Sequence, residues 1–255
     1  MDGCIAVGSL CGRVLFNPFD LLGWNLACCG VFGTRAEAGL SRNWLPRIMI
    51  SNCRKGAWVL PFRQGWRKTR QAGFCPGQVT LWGNSRRLTF SARLHDPRPW
   101  TRATHTRQLL CLYGDVLELF FGWVGCDDYY ELHFAPNGLV MALRWPNRSS
   151  YRGVSKDEDL TPFLTPPDPV TSHVFAWSEG WGVEGVIHLE SLSPENRSRS
   201  PRQLEIEFAR YDYLTDGSKV ISSTAPLRRP CFHRRQDWHR VLLGKGQRIP
   251  RRGHP

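Results

Sequence analysis

The sequence predicts an all-β fold, an antiparallel β-sandwich of jelly-roll-like type, and three observations predict it. Apolar and polar residues alternate with a period of two in one run after another, the spacing that turns one face of a strand to a core. Turn residues recur at short intervals, among them the pair Asn137-Gly138 between two apolar runs, where both residues tolerate positive φ. No stretch carries a strong amphipathic helical period and there is no internal repeat, which leaves a sandwich of about nine strands.

The elements follow in order. Residues 1–55 break their apolar runs with Gly, Asn, Pro and Asp, and Asp2 stands where a signal peptide carries basic residues. Leu26-Ala27-Cys28 matches a lipoprotein cleavage site only loosely, with Asn25 in an apolar position. The segment reads as a poorly structured extension over 1–56, such as a start codon assigned too far upstream would give. No apolar run of spanning length occurs.

From residue 57 the pattern becomes regular. Val79–Trp82 is a strand after the turn residues Phe74–Gly77, and Arg87–Leu94 alternates with Leu88, Phe90, Ala92 and Leu94 inward. Asp96-Pro97-Arg98-Pro99 ends that strand, because prolines cannot serve a central ladder. Thr101–Leu112 is a loop or a single helical turn.

Three strands then follow closely: Val116–Phe121, Tyr129–Phe134 and Leu139–Arg144. In the second, Tyr130, Leu132 and Phe134 share one face, while Tyr129, Glu131 and His133 form the other, read as solvent-facing. Pro146–Val170 is a proline-rich surface crossing between sheets. His173–Trp177 and Trp181–Leu189 form a hairpin. Gln203–Tyr211 places Leu204, Ile206 and Phe208 inward and Glu205 and Glu207 outward, Trp238–Leu243 closes the domain, and 244–255 reads as a disordered basic tail. The sandwich domain is thus 57–243.

The net charge of +12 invites a nucleic-acid reading, but its distribution argues against one. Residues 1–72 carry 10 Lys/Arg against 3 Asp/Glu and 228–255 carry 9 against 1, so the basicity belongs to the ends. Contact with an acidic surface or nucleic acid would run through those ends alone. Nine cysteines make an odd count without Cys-x-x-Cys or zinc-ligand spacing, and they do not fix the compartment. No glycine-rich phosphate loop follows a strand, which removes nucleotide chemistry. Eleven Trp is high, and Trp is used to fill a core or to meet a flat ligand.

Four pieces in order resemble the family 9 carbohydrate-binding module and its bacterial family 9-like domains: PGQVTLWGNSRRLTFSARLHD, then YGDVLELFF, then YYELHFAPNGLVMALR, and finally EFARYDYL with SSTAP and FHRRQDWHRVLL. The resemblance spans residues 57–243. It implies a non-catalytic sandwich that holds a sugar at one edge, in an exported or periplasmic setting and in service of glycan breakdown by a glycoside hydrolase on another chain or gene. In such modules two Trp enclose the sugar and calcium supports the loops. At the first position this chain has Leu112-Tyr113; the second falls in Ser222–His233, where Phe232 and His233 are the nearest rings.

The candidate carbohydrate-binding residues are therefore the rings of Tyr113, Trp100, Phe232 and His233 together with Arg210, which points inward from its strand. Asp115, Glu118 and Glu131 form the expected polar framework and are the available partners for Arg210, since a buried guanidinium needs a carboxylate. Asp127 and Asp128 are candidate calcium ligands. Glu118 and Glu131 sit on adjacent strands, so a glycosidase using that pair is the alternative from another class.

Overall fold

The computed structural model describes residues 57–166, 169–192 and 203–243, together with the backbone of 47–50. It contains twelve strands in two sheets: β1 (Arg47–Ile50), β2 (Trp58–Pro61), β3 (Gly77–Gly83), β4 (Arg87–His95), β5 (Val116–Trp123), β6 (Tyr129–Phe134), β7 (Val140–Trp145), β8 (Val170–Trp177), β9 (Gly180–His188), β10 (Gln203–Tyr213), β11 (Lys219–Ser223) and β12 (His239–Leu243). One sheet runs β1-β12-β10-β5-β6-β7, with β11 also paired to β10; the other runs β2-β3-β4-β9-β8. The expected β-sandwich is the fold. Within the segment read as an extension, Arg47–Ile50 pairs with β12, and this pairing is parallel. The rest of 1–56 and the tail 244–255 lie outside the described residues. Among the described residues no helix is long and apolar enough to cross a membrane.

The sheets form because the alternation is kept in register. Phe208 lies opposite Leu119, and Leu119 opposite Leu132, so one layer of apolar side chains faces inward across three strands. Leu88, Phe90, Ala92 and Leu94 answer from β4, as expected, and Phe90 meets Phe134 and Phe208 at 6.0 and 5.3 Å. Burying each such ring contributes roughly 1.5–3 kcal/mol before ordering costs. β4 stops at His95, where the prolines begin. The Asn137-Gly138 turn joins β6 to β7, with Gly138 at φ 88°.

The face of β6 read as solvent-facing is instead buried, and so are the outer residues of β5 and β10. Tyr129, Glu131, His133, Glu118, Glu205 and Glu207 are all buried. The reason lies in the loops, not in the strands. The one-turn helix Leu110–Leu112, the crossing segment with its short helix Asp157–Leu160, and the stretch from Ala225 to Trp238 fold back over this sheet. They build a second core from Leu110, Val116, Phe120, Tyr129, Trp145 and Trp238, among others. Trp145, at the end of β7, is core. Three strands lie outside those expected: β1, β2, and β11, which continues the edge of β10 beyond the point where β12 leaves it.

Candidate carbohydrate-binding site

The Gly114-Asp115 step before β5 builds one end of the sandwich. Gly114 has φ 148°, and a Cβ there would stand 2.5 Å from both the Trp100 carbonyl and the Thr101 Cα. Glycine thus lets the Trp100–Thr101 segment lie against the start of β5, where Thr101 and Gly114 bridge. Asp115 then grips both sides: its carboxylate accepts the Trp100 N–H at 2.5 Å and the Tyr213 N–H at 2.6 Å. The two residues it holds bring their rings together, with centroids 5.9 Å apart.

Those rings stand at a cleft of about 920 Å³. Trp100 and Leu112 are among the few large apolar side chains left exposed, at 48% and 41%. Arg98 and Arg102 line the cleft beside Trp100, and the β10–β11 turn closes the other side with Leu214, Thr215 and Asp216. Asp96 and Asp212 line it from β4 and β10. The arrangement offers an apolar plane with a rim of donors and acceptors, which is what a pyranose ring needs.

Arg210 anchors this end from below. It points inward, as its place two residues after Phe208 requires, but its partners are not the expected Asp115, Glu118 or Glu131. Its guanidinium lies 2.8 Å from Asp212 and 3.9 Å from Asp96, and donates to the carbonyls of Cys75 and His95. It is fully buried and binds the two sheets to each other. Asp96, Asp115 and Asp212 bring carboxylate oxygens within 4.8 Å of one another. Burial, then the neighbouring Asp96 and Asp212, push Asp115 up to about 8 against the pull of its two backbone donors. Burial likewise takes Asp212 to about 6, although Arg210 pulls it down.

The other expected site residues lie elsewhere. Tyr113 spends its hydroxyl on Asp157 at 2.6 Å, and Asp157 also accepts the Leu109 N–H; together they pin the crossing segment. Phe232 is 5% exposed and packs between Trp66, Phe120 and Tyr211, so its ring is core. His233 is stacked flat on Tyr151 at 3.8 Å and bonded to the Tyr129 hydroxyl at 2.8 Å. These rings sit in the second layer because the Ser222–His233 segment closes over the outer face of β5 and β6.

Glu118 and Glu131 belong to the same covered region. Both meet His133 Nε2, at 3.2 and 2.7 Å, and Glu131 also accepts the Trp145 indole N–H at 2.6 Å. Burial pushes Glu118 up to about 7. Burial works against a charge on His133, but the two carboxylates outweigh it and raise the imidazole. At 2% and 4% exposure the pair is sealed from substrate, which removes the geometry the glycosidase alternative needs. Cys111 lies beside Glu118 and His133 within metal-ligand distance, yet burial drives its thiol well above the usual range and His133 already sits between the carboxylates.

Asp127 and Asp128 do not fit a calcium cradle. The Asp128 carboxylate is paired with Arg144 at 3.0 Å, and the Asp127 carboxylate is largely exposed near Arg148. Their backbone carbonyls are taken by a cation of the chain itself. Arg235, fully buried, donates to the carbonyls of Asp127, Asp128 and Trp123 at 3.1, 3.0 and 2.6 Å and to Glu205 at 2.9 Å. A Cβ on Gly122 would stand 2.7 Å from this guanidinium, so the strand leaves room for it.

The fold can be set beside known proteins. Solved structures share it. A family 9 carbohydrate-binding module from Caldicellulosiruptor kristjanssonii, in complex with cellotriose, superposes with a TM-score of 0.53 at 12% identity, over 82% of this chain and 98% of that one. The same organism's family 9 module in complex with glucose gives 0.52 at 10% identity, over 80% and 100%. A putative carbohydrate-binding protein from Bacteroides uniformis gives 0.55 at 12%, over 78% and 97%. No protein-family model and no curated protein matches the chain. The chain has the sandwich fold of these modules.

Of the residues singled out in the sequence, Trp100 and Leu112 line the cleft and Asp115 is buried behind it, whereas Tyr213, Arg98 and Arg102 line it without having been expected there. Tyr213 was hidden at the end of a strand read as stopping at Tyr211. Arg98 had a usable signal in Pro97-Arg98-Pro99, where prolines hold a short loop open between strand and ring.

Proposed function

We propose that this chain binds carbohydrate without cleaving it, at the sandwich-edge cleft, in service of glycan breakdown by a hydrolase supplied on another chain or gene. The observation that carries the reading is the exposed Trp100 ring beside Tyr213, both fixed by Asp115 at a cleft with a polar rim. A ring held by its backbone is already in its binding position, so little ordering entropy opposes stacking. The likeness of fold to modules solved with cellotriose and glucose supports the same class of ligand. Arg98, Arg102 and Asp216 serve the hydroxyls, while Arg210 and Asp115 position the cleft.

The test is a glycan-array and calorimetric screen of the full chain beside Trp100→Ala, with and without calcium. Binding to at least one oligosaccharide, weakened about tenfold or more by Trp100→Ala and indifferent to calcium, is the expected result. Failure of the wild-type chain to bind any glycan in either condition overturns the reading.

A further inference from the structure

The five-stranded sheet carries a second group of rings that the cleft does not use. Phe175 and Trp177 leave β8 on the sheet's outer face, opposite Gly182 and Gly180 of β9. A Cβ on Gly182 would stand 2.7 Å from the Phe175 ring, and one on Gly180 would stand 2.8 Å from the Trp177 ring. The rings therefore lie across the β9 backbone instead of standing off the sheet. They are near parallel, with 30° between planes and 5.9 Å between centroids.

The far side of this platform is β4. Arg93 pairs with Gly182 and His95 with Gly180. The Arg93 guanidinium lies 5.8 Å from the Phe175 centroid and 5.5 Å from that of Trp177, and His95 meets Trp177 edge-on at 6.2 Å. Exposed Thr171, His173 and Glu184 complete a polar surround. The outer face of the opposite sheet is roofed by loops and filled as a second core. Here Phe175 and Trp177 are half-buried, laid on glycine with the Arg93 guanidinium over them in place of a roof of loops.

The platform meets the cleft at the end of β4. His95 packs on Trp177, and the next residue, Asp96, lines the cleft while its N–H bonds the Glu179 carbonyl in the β8–β9 turn. Two aromatic surfaces thus share one edge of the molecule. We infer that the Phe175–Trp177 face is a second carbohydrate contact, taking the flat C–H face of an extended, equatorially linked polysaccharide whose end the cleft receives. Aromatic planes hold the sugar faces, His95, His173 and Glu184 meet the hydroxyls at their edges, and Arg93, a flexible side chain now over both rings, turns aside to join them. The inference rests on the cleft being a sugar site.

The experiment measures retention of the full chain on microcrystalline cellulose and insoluble xylan, alongside its affinity for short cello- and xylo-oligosaccharides in solution. Phe175→Leu/Trp177→Leu keeps apolar bulk and removes the planes. It is expected to weaken retention on the order of tenfold and to leave oligosaccharide affinity unchanged. Trp100→Ala is expected to weaken oligosaccharide affinity and to lower retention only in part, since the platform still holds the chain. Retention of the double variant equal to wild type overturns the inference, as does a wild type that binds oligosaccharides but neither polysaccharide; in both cases the cleft reading stands. A wild type that binds neither form of glycan removes both. One arm needs no variant: saturating oligosaccharide fills the cleft and should leave wild type on the polysaccharide, whereas complete release overturns the second contact.

Discussion

Replacing Arg235 tests how this fold holds the loop between β5 and β6. The guanidinium makes four hydrogen bonds, one to a buried carboxylate and three to backbone carbonyls. Bonds to charged groups are worth about 1.5–3 kcal/mol each, so a simple sum would rival the stability of a whole domain. The sum overcounts. Asp127 is solvent-exposed, and water can satisfy its loop's carbonyls once the side chain is gone, while Arg240 remains 3.5 Å from Glu205. The governing cost is Glu205 left buried with weakened compensation, roughly 3–5 kcal/mol for Arg235→Ala. For a domain of this size that lowers Tm by roughly 6–20 °C. Arg235→Lys keeps the charge but offers three donors on a compact head in place of a fork reaching four acceptors, and should cost about half as much. Urea unfolding of the full chain followed by Trp fluorescence measures both. Equal stability of Arg235→Ala and wild type, or a wild-type Tm that rises with calcium and falls with chelator, would refute the role of the guanidinium as the loop's cation.

Three further outcomes follow from the same geometry. Phe232→Ala should cost about 3–5 kcal/mol by leaving a cavity in the second core while glycan affinity stays unchanged; weaker binding by the folded variant would return Phe232 to the ligand site. Gly114→Ala forces a Cβ against Trp100 and Thr101 at an unfavourable φ, so it should destabilise the chain by about 1–3 kcal/mol and loosen Trp100, read as lower sugar affinity in the surviving folded protein. Stability should fall by about 1–2 kcal/mol between pH 7 and 8.5, because Asp115 at about 8 and Glu118 at about 7 keep protons in the folded state that the unfolded chain has already lost. His133, also raised, acts in the same direction; His233 and His239, lowered chiefly by burial, oppose it only below their ordinary value of about 6.5. A Tm that is flat or rises across that window contradicts these buried protons.

The inner core was legible because it is written locally. Leu88–Leu94, Leu204–Phe208 and Asn137-Gly138 announce their strands and turn within a few residues of sequence, and each is found in place. The second core was not legible, because alternation says only that two faces differ. Glu131 and His133 look like solvent residues until Trp145 on the neighbouring strand bonds Glu131, and Cys111 and His233 arrive from distant segments to cover them. Arg210 shows the same limit. Its inward direction follows from its place after Phe208, but its partners Asp212 and Asp96 are set by the β10 end and by the strand end of the other sheet. The cleft was half legible: Trp100 stands out between proline and loop, whereas Tyr213 becomes its neighbour only through Asp115.

This division bears on why a carbohydrate face sits where it does. The seven-stranded sheet has no open surface left over β5 and β6, since its outer polar groups are engaged in place: Glu118 and Glu131 meet His133, Glu205 pairs with Arg235, and Glu207 accepts the Ser223 hydroxyl at 2.5 Å. A ligand there would have to displace the loops and rings that cover these groups. Surface for recognition remains at the edge held by Asp115 and on the five-stranded sheet, where glycines keep the Phe175 and Trp177 rings low. Asp115 links the two consequences. By spending its carboxylate on the Trp100 and Tyr213 backbones, it is unavailable to Arg210, which turns instead to Asp212 and Asp96 and so ties the cleft floor to the strand that carries His95. One buried acid thus fixes the rings of the cleft and, through Arg210, the edge of the platform beside it.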